Sequence, residues 1–206
     1  MLAEWSVECA AEDPVLVIPW SEDDSEPQSP RSSSESTRLR FIDLRENPYD
    51  LDHIPEAEQY PPLMHALRAL NAARSPVFTA KCDAWPLDSE EFEHLRHSLD
   101  ILPDDTPNGF ASYIDILLRD RSLFASFHQN EQYLHRLTRR AESLDHPYAQ
   151  LDCVIRPALL DLTGPQEGFA ITLYVKALGA DTPSAMQNWA DALQSVVALL
   201  RSKEMA

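Results

Sequence analysis

Residues 149–177 read AQLDCVIRPALLDLTGPQEGFAITLYVKA. Two apolar runs, 150–162 and 168–177, flank the turn-forming stretch Thr163-Gly164-Pro165-Gln166-Glu167. Alternating β-branched and aromatic residues on either side of a Gly-Pro turn predict a β-hairpin. In the first strand Leu151, Cys153 and Ile155 share one side, and Asp152, Val154, Arg156, Ala158 and Leu160 the other. In the second, Phe169, Ile171, Leu173 and Val175 oppose Ala170, Thr172, Tyr174 and Lys176. Gly179 ends that strand. Thr182 then reads as an N-cap, with Pro183 at the first helical position. Met186, Trp189, Leu193, Val196 or Val197, and Leu200 form an apolar stripe over 183–202, which predicts a helix packed on the sheet.

Outward from the hairpin, 77–85 reads as a further strand. Phe78, Ala80, Cys82 and Ala84 point one way, and Val77, Thr79, Lys81, Asp83 and Trp85 the other. Asp88 or Ser89 caps a helix over 90–99, with Glu90 and Glu91 at the positive end of its dipole. Leu63, Leu67 and Leu70 mark a helix over 62–74, while Pro55, Pro61 and Pro62 keep the preceding stretch irregular. Phe110, Tyr113, Ile114 and Leu117 fit helical spacing to about residue 119. A second helix carries Phe124, Phe127, Leu134, Leu137 and Ala141, with a break near Ser122. At the N-terminus, Trp5, Val7 and Cys9 alternate and 15–18 is wholly apolar. These two short strands are expected to form a hairpin joined to the main sheet. Residues 39–44 suggest one more short strand, and 47–50 a turn.

Residues 21–37 hold no large apolar side chain and cannot offset the entropy of ordering. The expected organisation is therefore N-terminal strands (1–20), an acidic Ser/Pro-rich flexible loop (21–38) and a main domain (39–206). In the loop, Ser29-Pro30 is the most suggestive phosphorylation spot, against a plain solvated insertion. The expected fold is α+β: a mostly antiparallel sheet of about four to six strands with helices packed on one face.

The chain of 206 residues carries 34 Asp and Glu against 17 Lys and Arg, a net charge of −17. Nucleic-acid backbones and anionic membranes repel such a surface, so neither is an expected partner. Cationic or neutral partners fit better. Three cysteines without a CxxC argue against a disulfide framework or a zinc knuckle. No signal peptide is read at the start, and no apolar run reaches the roughly 18 residues of a spanning helix. A soluble, cytoplasmic protein is expected. With only 4 glycines, a phosphate-cradling loop is not expected, and no cofactor motif is present.

Two kinds of site suggest themselves. The outer sheet face gathers Lys81, Asp83, Trp85, Asp152, Arg156 and Tyr174, a set able to hold a small polar ligand or a peptide between flat apolar walls and charged groups. A solvent-facing antiparallel sheet also pairs such charges simply for stability. Helical spacing puts Glu90, His94 and His97 on one face, and His128, Glu131 and His135 on another, each a weak metal-ligand set. No bound metal is expected. Cys82 and Cys153 read as small core residues, and His53, His65 and His146 lack a partner. The expected function is non-catalytic: a binding or adaptor protein recognising a protein or small-molecule ligand on the polar and aromatic face. The alternatives are a metal- or carboxylate-dependent enzyme built on the histidine helices or the Asp83/Arg156 face, and a structural homodimer using the last helix or an open sheet edge.

Overall fold

The computed structural model describes residues 1–8, 15–17, 44–45, 50–51, 54–102, 108–162, 164–202 and 205. The readings of the acidic loop at 21–38, of Cys9 and of His53 lie outside these residues, as does all but Leu44 of the strand read at 39–44 and all but Asp50 of the turn read at 47–50. The strands are β1 (Leu2–Val7), β2 (Val15–Val17), β3 (Val77–Pro86), β4 (Asn108–Leu118), β5 (Ala149–Asp161) and β6 (Pro165–Gly179). The helices are α1 (Pro55–Gln59), α2 (Pro61–Asn71), α3 (Ser89–Ser98), α4 (Arg121–Phe124), α5 (Phe127–Ala141) and α6 (Thr182–Leu200). The fold is α+β.

The hairpin forms with the faces as read, but its turn is tighter: Pro165, Gln166 and Glu167, expected in the turn, pair with Asp161, Leu160 and Leu159. Cys153 faces Leu173 and Asp152 faces Tyr174 in an unbroken antiparallel register from Ala149 to Asp161. Its loop places Gly164 at φ 111°, a region a residue with Cβ rarely enters. The sheet runs β1-β5-β6-β4-β3, and β2 also pairs with β5. It is mixed, not mostly antiparallel. β1 runs parallel to residues 150–155 of β5, and β2 parallel to residues 158–160. The two N-terminal strands therefore follow one another along one edge of β5 and are not a hairpin. Alternation showed that each is a strand but carries no information about its partner or direction.

The stretch expected to be a helix over 110–119 is the strand β4. It lies between β3 and β6, and nearly every residue from Phe110 to Leu118 is buried. A strand covered on both faces loses clean alternation, so its apolar run can mimic helical spacing. Asp115 sits within it, buried, and accepts a hydrogen bond from Thr172 Oγ1 at 2.5 Å. The break read near Ser122 falls instead at Ala125–Ser126, with Asp120 capping α4 and Ser126 capping α5. Pro55, Pro61 and Pro62 do not leave their stretch irregular. They occupy the opening positions of α1 and α2, where a missing N–H costs nothing.

One sheet face is covered by α2, α5 and α6. Three contacts fix it: Asn71 Nδ2 of α2 donates to Thr79 Oγ1, Trp5 meets His135 of α5 edge-on, and Trp189 Nε1 of α6 donates to Ser112 Oγ. The α6 cap is Asp181, one residue before the expected Thr182. Helices are not confined to that face. α3 packs against β6 and meets Trp85 on the opposite side. A β-bulge between Thr79 and Cys82 shifts the register of β3. Thr79 pairs with Ile116 and so joins the helix-covered face, while Phe78, paired with Leu117, turns to the other. The expected alternation had Phe78 and Cys82 on the same side. On its actual side Phe78 is buried, with the Arg45 guanidinium 4.4 Å from its ring centre.

Candidate functional site

The face opposite α2, α5 and α6 holds a trough of about 410 Å³. Its walls come from Glu4 and Ser6 of β1, Gln150, Asp152 and Val154 of β5, Tyr174 and Lys176 of β6, Trp85 of β3 and Glu91 of α3. Register explains the hollow. Trp85, Ala111, Lys176 and Gln150 lie in one row across β3, β4, β6 and β5, so the small Ala111 separates two long side chains. The next row brings Asp83, Tyr113, Tyr174 and Asp152 together. The Tyr113 ring stands 6.2 Å from that of Trp85 and 6.0 Å from that of Tyr174, giving an aromatic band across three strands.

The polar groups of the trough are held by partners within the chain. Trp85 Nε1 donates to both Glu91 carboxylate oxygens, at 3.1 and 3.3 Å. The Asp88 N–H donates to Glu91 Oε2 at 3.2 Å, while the Asp88 side chain accepts from the Glu90 and Glu91 amides. This capping box fixes both α3 and the direction of Glu91. Asp152 accepts from Gln150 Nε2 at 2.5 Å and from Lys176 Nζ at 2.9 Å. Lys176 Nζ lies 5.7 Å from the Tyr174 ring centre, within cation–π range.

Of the residues expected to form the site, Trp85, Asp152 and Tyr174 line the trough. Arg156 stands beside it: its Nη2 donates to Tyr174 Oη at 3.3 Å, and its Nε lies 2.8 Å from Glu8 Oε2 in an ion pair not aligned as a hydrogen bond. Burial works against its charge, but Tyr174, Glu8 and Asp115 outweigh that and hold its pKa above the usual range. Asp83 is half-buried and accepts from the Ala84 N–H at 2.7 Å. Lys81 is exposed at the bulge and does not line the trough. Sequence reading missed Glu4, Ser6, Gln150 and Glu91. A signal for Glu91 was present: Asp88-x-x-Glu91 is a capping-box spacing immediately after Trp85-Pro86.

The histidine sets do not converge on a shared centre. His94 and His97 are exposed on α3. His128 contacts Glu131 at 3.4 Å and Gln132 at 2.9 Å, while His135 packs against Trp5. Among the described residues no three His, Cys, Asp or Glu side chains stand close enough to share a metal ion. His146 does have a partner: its Nε2 is 2.8 Å from Ser195 Oγ. No helix among the described residues is long and apolar enough to cross a membrane.

Burial, with the nearby charges of Glu56, Asp83 and Asp115, pushes the Cys82 thiol from 9.0 up to about 12. Burial, then Asp115 and Asp83, pushes the Tyr113 phenol from 10.0 up to about 12. Burial also raises the Cys153 thiol. These groups stay neutral in the folded protein at physiological pH. Both raised values stabilise the fold below the unfolded pKa. Once the pH passes 9.0 for Cys82 and 10.0 for Tyr113, the unfolded chain releases these protons first. Stability should fall through that window up to about 12. Urea midpoints across alkaline pH test this. Cys82→Ala should flatten the lower part of the decline, and an equal slope with and without the thiol would contradict it.

Set against protein-family models, curated proteins and solved structures, the chain matches none.

Proposed function

We propose that this protein is a non-catalytic binding module that takes part of a ligand or partner protein into the trough over β1, β5, β6 and β3. The observation that carries this reading is the pre-set wall. Trp85, Tyr113 and Tyr174 form an aromatic band, and the carboxylates beside it are already fixed by Trp85, Gln150 and Lys176. Groups ordered before association lose little entropy on binding, and a flat apolar wall with a few fixed polar groups is what a small recognition site requires. The thiols of half-buried Cys82 and buried Cys153, both held neutral, are poor nucleophiles, which also favours binding over covalent chemistry.

A thermal-shift screen tests the reading. A ligand at one hundred times its Kd stabilises the folded state by about 2.7 kcal/mol. For a chain of this size that corresponds to about 5–10 °C. Trp85→Ala should remove the shift while leaving a folded protein, because Trp85 is only half-buried. Arg156→Ala should lower the melting temperature of the free protein through the loss of its Glu8 and Tyr174 contacts, with little effect on the ligand-induced shift. A shift that survives both Trp85→Ala and Tyr174→Ala places binding elsewhere and overturns the reading.

A further inference from the structure

We infer that the group received by the trough is the guanidinium or ammonium of an arginine or lysine in a basic polypeptide segment. This rests on the binding reading above and names its ligand. Glu4, Glu91 and Asp152 face the trough against a single cation, Lys176. The cations nearby are already engaged, Lys176 by Asp152 and Arg156 by Glu8, so among the described residues an anionic ligand meets no uncommitted cation in the wall. Lys176 itself shows what the wall accepts: an ammonium between the Asp152 carboxylate and the Tyr174 ring. A second cation has an equivalent place. The edge of the Trp85 indole is committed to Glu91, which leaves its ring face for a cation with Glu91 beside it and Glu4 on the far wall of the same trough.

Two further observations favour a polypeptide over a free small cation. Among the described residues β1 pairs only with β5, so its outer edge, next to Glu4 and Ser6, is open to an extended segment. The net charge of −17 draws a basic macromolecule toward the whole surface and speeds its encounter.

The test uses the full chain and three probes: an arginine-rich peptide, spermidine, and an acidic peptide of the same length. Calorimetry reads affinity, and the Trp85 indole N–H resonance, assigned with Trp85→Phe, reads location. The basic peptide should bind, move that resonance and weaken as salt is raised. Glu4→Gln and Glu91→Gln should each weaken binding about three-fold. Glutamine keeps the capping box at residue 91, so α3 should persist. Lys176→Met removes the competing ammonium and frees Asp152, and should tighten binding about three-fold.

Binding that leaves the Trp85 resonance and all three variant affinities unchanged would reflect general acidity and overturn the inference. Spermidine bound as tightly as the peptide would overturn its polypeptide part. If the acidic peptide moves the resonance and the basic one does not, the cation assignment falls while the binding module stands. If no probe moves it, the cation assignment falls, and the thermal-shift screen decides the binding reading separately.

Discussion

Trp189→Ala is expected to cost about 3–5 kcal/mol of folding free energy. Trp189 of α6 is completely buried. Its ring meets Phe110 of β4 at 4.8 Å and Tyr60, the residue between α1 and α2, at 6.3 Å, both edge-on. It therefore joins the last helix, the middle of the sheet and the first helical turns in one contact. Its Nε1 also donates to Ser112 Oγ at 2.9 Å, and Ser112 is fully buried. Alanine leaves a cavity that three elements cannot close at once, and a hydroxyl that has lost its donor. Against a total stability of about 5–15 kcal/mol, such a loss leaves little margin. Trp189→Phe fills most of the space and should cost about 1–3 kcal/mol, mainly through the lost hydrogen bond. Denaturant titrations monitored by far-ultraviolet circular dichroism measure both. Similar costs for the two variants would show that ring volume does not dominate here.

Gly179→Ala is the second large effect, at about 3 kcal/mol. A Cβ at this position would lie 2.2 Å from the Ala185 amide nitrogen and 2.6 Å from the Ser184 carbonyl carbon. These are backbone atoms in the first turn of α6 and cannot rotate aside. The helix start is also pinned, because Asp181 Oδ1 accepts from the Ser184 N–H at 2.8 Å and Asn188 Nδ2 donates to the Leu178 carbonyl at 2.7 Å. Relief requires moving α6 off the sheet. Gly164→Ala provides the contrast. Nothing lies within 4 Å of its added Cβ, and only its φ of 111° resists the change, so a cost of about 1 kcal/mol is expected. If Gly164→Ala proved the more damaging, close approach of helix and strand would not be the dominant constraint at Gly179.

The lining of the candidate site was half legible in the sequence, and the division follows a physical line. Asp152 and Tyr174 were found because one continuous hairpin fixes both their faces and their pairing. Trp85 was found by alternation within β3. Lys81 was placed on the same face by the same rule, and the bulge after Thr79 broke that rule. Glu4 and Ser6 were out of reach, since their strand reaches the site only through parallel pairing with residues 150–155, far along the chain. Glu91 is legible in the sequence as a charge at the positive end of the α3 dipole, and the structure adds its place in the capping box. That its carboxylate also meets Trp85 depends on where α3 crosses the sheet.

The sequence by itself determined the elements whose signals are local: the hairpin of β5 and β6, the amphipathic stripe of α6, a cap for α3 at Asp88 or Ser89 and the strongly acidic character of the chain. Side-chain period, turn chemistry and charge are set by neighbours along the chain, so they survive without knowledge of the fold. Tertiary structure alone decided that residues 108–118 form a central strand, that β1 and β2 run parallel to β5, and that α3 lies on the face opposite α2, α5 and α6. Each depends on which distant surface covers an apolar residue, and burial on both faces erases the periodicity that would otherwise reveal it.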